Sequence, residues 1–204
     1  MQLFLKPSED FLSENLHHRL AGFPRRSYEA GAVILGGGDL GRWAYFLVDG
    51  IVRVSLLHPS GVDRVVSFLK PKMLFGHAAL FLGRPVTPSL VVYAHSRVVV
   101  TTIDAGELLE LASEEPRFTA HLLHCVALQM ADMHEHILLS TFGSTDERLA
   151  EVLAALVDEG HSDGRFTQDD LGRLIGRSRV SVNQALRRLE AGGPDTRRRQ
   201  ASGC

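Results

Sequence analysis

The spacing of the apolar residues changes once along this chain, near Asp104, and that change sets the architecture. Before it, from about residue 25, β-branched and aromatic runs are short and closely spaced: AVIL, YFLV, IVRVSLL, VVSFL, LVVYA and RVVVTTI. Turn formers separate them: Gly31, Gly36, Gly37, Gly38 and Gly41, the pair Asp49-Gly50, and Pro59-Ser60-Gly61. Runs of this length at turn spacing predict an antiparallel roll or barrel over about residues 25–104. Asp49-Gly50 predicts a tight hairpin, because a type I′ turn needs positive φ at both central positions. After Asp104 the spacing becomes helical. One short helix is expected over AGELLELASEEP, and another ahead of the strands in SEDFLSENLHHRLAG.

From Phe118 to about Leu139 the chain has no proline or glycine, and Leu123, Val126, Met130, Met133 and Ile137 follow at spacings of three and four. That is an a/d seam, narrower than the stripe of a helix buried inside one domain, and it predicts two copies zipped together. Phe142-Gly143 interrupts the helix and supplies a hinge. Ser144 and Glu147 then form a capping box, in which hydroxyl and carboxylate satisfy each other's orphan backbone amides.

Near the end comes FTQDDLGRLIGRSRVSVNQALRRLE. Thr167 can cap a helix through Leu171, Leu174 and Ile175, Gly176 supplies a corner, and Ser178 caps a second helix. Val182, Leu186 and Leu189 face the first helix, which leaves Arg179, Val180, Ser181, Asn183, Gln184, Arg187 and Arg188 on the other faces. This is a helix-turn-helix, whose second helix enters the major groove of DNA. Arg179 can donate bidentately to guanine, Asn183 or Gln184 can pair with adenine, and Val180 can pack on a thymine methyl. Thr167, Gln168, Ser178, Arg187 and Arg188 are placed to hold phosphates. Charge agrees: residues 164–204 hold nine arginines against four acids, while the whole chain carries −2. That separation is the footprint of a nucleic-acid-binding end joined to a different module.

Other classes are excluded or set aside. Two cysteines, Cys125 and Cys204, are too few for a disulfide framework or a cysteine zinc site. His121, His124 and Cys125 lie close on one helix, yet without an acidic partner they read as ordinary side chains, so no metal site is assigned. His58, His77 and His95 show no ligand spacing that would make the strands a metal enzyme, and the chain is read as a non-enzyme. No apolar run is long enough for a membrane span. MQLFLKPSED lacks a secretory pattern, and a cytoplasmic protein is expected.

The order of strand-rich sensor, long helix, hinge and helix-turn-helix resembles the Crp/Fnr family (cyclic-AMP receptor protein/fumarate-nitrate reduction regulator). YFLVDGIVRV, LFGHAALFLGRP, the seam helix and SRVSVNQALRRLE carry the resemblance. It implies an α+β chain: an N-terminal antiparallel β-roll of the cyclic-nucleotide-binding, jelly-roll type that senses an effector (1–115), a long dimerisation helix (116–142), and a helix-turn-helix domain (143–204). It also implies a homodimeric transcription factor on palindromic double-stranded DNA, with RNA polymerase as a further partner. Family members continue past the recognition helix into a two-stranded wing. Here AGGPDTRRRQASGC has no strand alternation, so the wing is expected to be truncated or absent and the tail basic and disordered.

The effector position departs from the cyclic-AMP pattern. Cyclic-AMP-binding members follow the equivalent of Gly76 with glutamate and later carry Arg-Ser for the phosphate. Here His77-Ala78 and Pro88-Ser89 stand in those places, and Met133-His134 replace hydroxyl residues on the long helix. The cysteine cluster of the iron–sulfur members is missing. A small apolar or aromatic effector is expected instead, lined by Leu74, Gly76, His77, Leu80, Phe81, Ser89, Tyr93, Met130 and Met133. No cofactor is assigned. Two alternatives stay open: haem held through His77, as in the gas-sensing members, and a ligand-binding module with impaired DNA binding.

Overall fold

The computed structural model describes residues 3–8, 14–36, 41–159 and 166–192. The chain divides into two compact units, with the division between Met133 and His134, inside the long helix.

The first unit holds nine strands in two sheets. In chain order these are β1 (Phe4–Leu5), β2 (Arg25–Tyr28), β3 (Val33–Leu35), β4 (Ala44–Asp49), β5 (Val52–Leu57), β6 (Asp63–Leu69), β7 (Leu74–Phe75), β8 (Leu90–Ala94) and β9 (Val98–Ile103). One sheet runs β1-β6-β5-β8-β3 and the other β2-β9-β4-β7. Every pairing is antiparallel except β1 with β6. Alternation explains the sheets' buried faces: Val52 lies opposite both Leu69 and Ala94, and all three are buried. Helices α1 (Glu14–Ala21), α2 (His77–Leu82), α3 (Ala105–Glu114) and the first part of α4 (Pro116–Phe142) complete the unit. Leu16, Leu20, Leu108, Leu111, Phe118, Leu122 and Cys125 join the strand residues in one core. Each large apolar side chain so buried contributes about 1.5–3 kcal/mol.

Asp49-Gly50 does not make a hairpin. β4 and β5, on either side of it, belong to different sheets and do not pair. Gly50 does take positive φ (88°), and a Cβ there would lie 2.2 Å from the Arg97 carbonyl oxygen. The sequence therefore marks a corner where the chain leaves one sheet for the other. The β8–β9 turn, which makes the same crossing, holds it: Ile51 N–H donates to Ser96 Oγ (2.9 Å), and His95 N–H donates to the Ile51 carbonyl (2.8 Å). Pro59-Ser60-Gly61 does join a true antiparallel pair, β5 and β6.

The second unit begins in the last turns of α4 and adds α5 (Thr145–Asp158), α6 (Gln168–Ile175) and α7 (Arg179–Glu190). Leu149, Val152, Leu156, Leu171, Leu174, Ile175, Val182 and Ala185 are buried. Ser144 and Glu147 form the expected capping box at the start of α5, and Thr167 and Asp170 form another at the start of α6. The residues on which the wing and tail reading falls, 193–204, lie outside the described residues.

Candidate functional site

Local chemistry fixes the α6–α7 corner. Gly176 closes α6 in the left-handed region (φ 66°), and Ser178 accepts from Ser181 N–H to open α7. Gly172 permits the approach of the turn: a Cβ there would meet the Arg177 carbonyl oxygen at 2.7 Å. Val182 and Ala185 are fully buried, with Leu186 and Leu189 half-buried beside them. At about 100° per residue, Val180, Asn183, Gln184 and Arg187 then share the outward face. Val180 is 66% exposed although apolar. Thr167, Ser178, Arg179, Gln184, Arg187 and Arg188 are exposed, while Gln168, Ser181 and Asn183 are half-buried.

Two residues that the sequence reading passed over organise this unit. Arg148, on α5, is buried and donates to three carbonyls: Gly143 (3.1 Å), Ser140 (2.6 Å) and Ile175 (3.5 Å). Asp146, two residues after the capping serine, takes both Nε and an Nη of Arg188 at 2.8 and 2.6 Å. The hydrogen bond from Arg188 holds the Asp146 carboxyl below its ordinary pKa. Arg188, a phosphate contact in the sequence reading, gives two of its N–H groups to α5 in this structure. A charged residue in the first turn of a helix reads from sequence as a dipole partner, and nothing local shows that its partner lies 42 residues on.

In the first unit, Gly76 starts α2 with φ 77°, and a Cβ there would lie 2.9 Å from both the Trp43 carbonyl oxygen and the Tyr45 ring. Only glycine fits. His77 follows, buried, and its Nδ1 has no hydrogen-bond partner. Burial pushes its pKa down to about 4, so the ring is neutral at pH 7. Leu74 is buried, Leu80 packs against the core, and Ser89 is half-buried. Of the remaining four expected lining residues, one faces away from the core and three are exposed. Tyr93 lies between core residues Val92 and Ala94 on the opposite sheet face, with the Arg53 guanidinium 4.5 Å from its ring centre. Phe81 is 51% exposed, and Met130 and Met133 are more than half exposed.

Helix α4 has two apolar faces. Phe118, His121, Leu122 and Cys125 are buried on one. The other bears the whole seam, Leu123, Val126, Met130, Met133 and Ile137, each at least 37% exposed. The buried face is tied to the strand leading into Gly76: His121 Nε2 donates to the Lys72 carbonyl (2.8 Å), and Gln129 Nε2 donates to the Leu74 carbonyl (3.0 Å). His124 accepts from Ser8 N–H, so the two histidines serve different partners. Among the described residues no group of three or more metal-ligating side chains converges, and no helix is long and apolar enough to cross a membrane.

Comparison with known proteins agrees with both halves. Residues 25–115 match the cyclic nucleotide-binding domain, and residues 147–200 match the Crp-like helix-turn-helix domain. The chain is 25% identical over 172 residues to the CRP-like cAMP-activated global transcriptional regulator of Mycobacterium tuberculosis, covering 80% of this chain and 74% of that one. It is 26% identical over 193 residues to the cAMP-activated global transcriptional regulator Vfr of Pseudomonas aeruginosa, covering 88% of each. Its fold matches the c-di-GMP-responsive global regulator CLP of Xanthomonas campestris with a TM-score of 0.77 at 20% identity, over 86% of this chain and 90% of that one. With its sensor segment and its helix-turn-helix segment both matched, the chain belongs to the Crp/Fnr family of DNA-binding transcriptional regulators with an effector-binding domain.

Proposed function

We propose that two copies of this chain pair through the α4 seam and read a palindromic DNA site with the outward face of α7, under control of a small apolar or aromatic effector. One observation carries the reading: α7 presents Val180, Asn183, Gln184 and Arg187 together, with an apolar residue left 66% exposed among polar ones. A helix in an ordinary bundle gains nothing from that arrangement, whereas a major-groove helix uses a methyl contact beside hydrogen-bonding groups. Arg179 at the first turn is the candidate guanine donor. Thr167, Gln168, Ser178 and Arg187 are candidate phosphate contacts. The exposed α4 seam supports pairing, because five apolar residues at heptad spacing stay wet in a lone chain.

Relatives differ in effector, cyclic AMP for Vfr and c-di-GMP for CLP, so the family leaves it open. The segment from Gly76 to Ser89 carries one cation, Arg84, which is exposed and turned toward the Pro85 carbonyl. A phosphate would find no counter-ion at Pro88. Leu74, Leu80 and neutral His77 suit an apolar molecule taking one hydrogen bond from or to the unpaired Nδ1. The same nitrogen favours a second reading, in which His77 binds haem. Effector binding beside Gly76 would reach α4 through the Lys72 and Leu74 carbonyls that His121 and Gln129 hold. The Phe142-Gly143 hinge would then reset the DNA-binding helices, through tighter ligand binding to one of two states.

Fluorescence anisotropy against palindromic duplexes, with native mass spectrometry of the purified chain, tests this. Salt-dependent duplex binding by a dimer, with an apolar adduct that changes affinity, is expected. Absence of binding in dilute salt would favour a sensor module without DNA, and a haem adduct would favour the second reading.

A further inference from the structure

Between them, α5 and α7 share the bidentate pair of Asp146 and Arg188, with bonds of 2.8 and 2.6 Å. The pair joins the first turn of α5 to the last turn of α7. Each charge sits on the helix end that favours it: the carboxylate at the positive start of α5, the guanidinium at the negative end of α7. Thr145, next in line, accepts from Arg177 Nε (3.4 Å) at the turn before α7. Two arginines flanking the reading helix are thus held by adjacent residues of α5.

Position around the helix separates Arg188 from the other arginines of α7. Counting about 100° per residue, Val180, Gln184 and Arg187 cluster on the outward face, while Arg188 lies toward its edge, on the α5 side. Nε–H and one Nη–H are given to the Asp146 carboxylate, whose charge offsets that of the guanidinium, so the N–H donors that remain offer a phosphate an already neutralised pair.

We infer that Asp146 is a positioning residue for DNA recognition: it straps Arg188 to α5, fixing the angle of α7 and keeping Arg188 out of the set of phosphate contacts. The inference rests on the DNA-binding reading above and adds which arginine does not touch DNA. Because α5 is the first helix after the Phe142-Gly143 break, the strap makes α7 follow α5 as one body.

The experiment compares wild type with Asp146→Asn, Arg188→Ala, Arg187→Ala and the charge exchange D146R/R188D. The probe is a duplex selected by the wild-type chain from a randomised pool, and the readout is affinity across a salt series. Arg187→Ala should lower the slope of log K against log salt by about 0.9, the value of one phosphate contact, and Arg188→Ala should leave it unchanged. Asp146→Asn should weaken binding by about threefold, although it removes a negative charge, and the exchange, which re-forms the pair against both helix dipoles, should recover part of the loss. A slope lowered by Arg188→Ala, or tighter binding in Asp146→Asn, would overturn the inference: Arg188 would then be a phosphate contact that Asp146 restrains. Should wild type bind no duplex in dilute salt, the DNA reading itself fails. Hydrogen exchange of the α7 amides then judges the strap alone: faster exchange in Asp146→Asn with recovery in the exchange variant supports it, and unchanged exchange rejects it.

Discussion

Arg148 donates to the Ser140 carbonyl at 2.6 Å from a side chain only 6% exposed. The same guanidinium reaches the carbonyls of Gly143 and Ile175, so one positive charge sits among the closing carbonyls of α4 and α6. Helix ends are where unpaired carbonyls and negative dipole charge collect, and an arginine offers five donors in a rigid plane to meet them. Arg148→Met keeps much of the packing and removes every donor. It should lower the stability of the second unit by about 3 kcal/mol, because three inward carbonyls lose their partner together. Urea unfolding followed by helical circular dichroism measures this. Arg148→Lys should recover only part, since one ammonium cannot span all three acceptors.

His77 gives the first unit a pH dependence of definite sign. Unfolded, the ring titrates near 6.5; folded, burial lowers it to about 4. Between those values the unfolded chain binds a proton that the folded chain refuses, so stability falls as pH drops through that window. The full effect is on the order of 3 kcal/mol, reached near pH 4. His77→Phe should flatten this part of the profile. Thermal melts of both proteins between pH 7 and pH 4 check it, and parallel curves would show that folding leaves the ring's pKa at its unfolded value.

On the outward face of α7, Arg179→Ala should weaken specific binding by about 1–3 kcal/mol and relax discrimination at one base pair. Arg187→Ala should weaken all sequences alike, because phosphates carry no sequence information. Val180→Ser should spare non-specific binding and lose a preference for thymine. Binding-site selection with each variant separates the three outcomes.

What sequence showed and what it hid follow from the range of the interactions involved. The caps at Ser144, Thr167 and Ser178, and the αL corner at Gly176, were legible because donor and acceptor lie within a turn of each other. The long helix was legible from its uninterrupted spacing. Asp49-Gly50 showed a positive-φ turn and not the sheet switch, since turn chemistry fixes φ and ψ while the tether at Ser96 is remote. β7 and β1 have two residues each, too few for any alternation to show. Tyr93 stands among the expected lining residues, although alternation with buried Val92 and Ala94 places it on the other sheet face. Asp146 and Arg148 were hidden for a different reason: their partners come from separate helices, and charged residues on a helix ordinarily mean a solvated face.

The α4 seam carries the most direct prediction. Leu123, Met130, Met133 and Ile137 are each more than half exposed, and Val126 is 37% exposed. None belongs to the buried face formed by Phe118, His121, Leu122 and Cys125, so a charge placed on the seam leaves the protomer's own core intact. Met130→Glu with Met133→Glu puts two carboxylates per chain, one turn apart, where the partner's carboxylates would face them. Desolvating that cluster opposes pairing, and like charges at adjacent seam positions add to the effect. Sedimentation equilibrium should give a dimer for wild type at micromolar concentration and a monomer for the double variant, with unchanged circular dichroism. Duplex affinity should fall with it, because a single α7 reads only half a palindrome and loses the second half-site's contribution. A double variant that remains dimeric would place the pairing surface elsewhere and leave the exposed heptad face without an occupant.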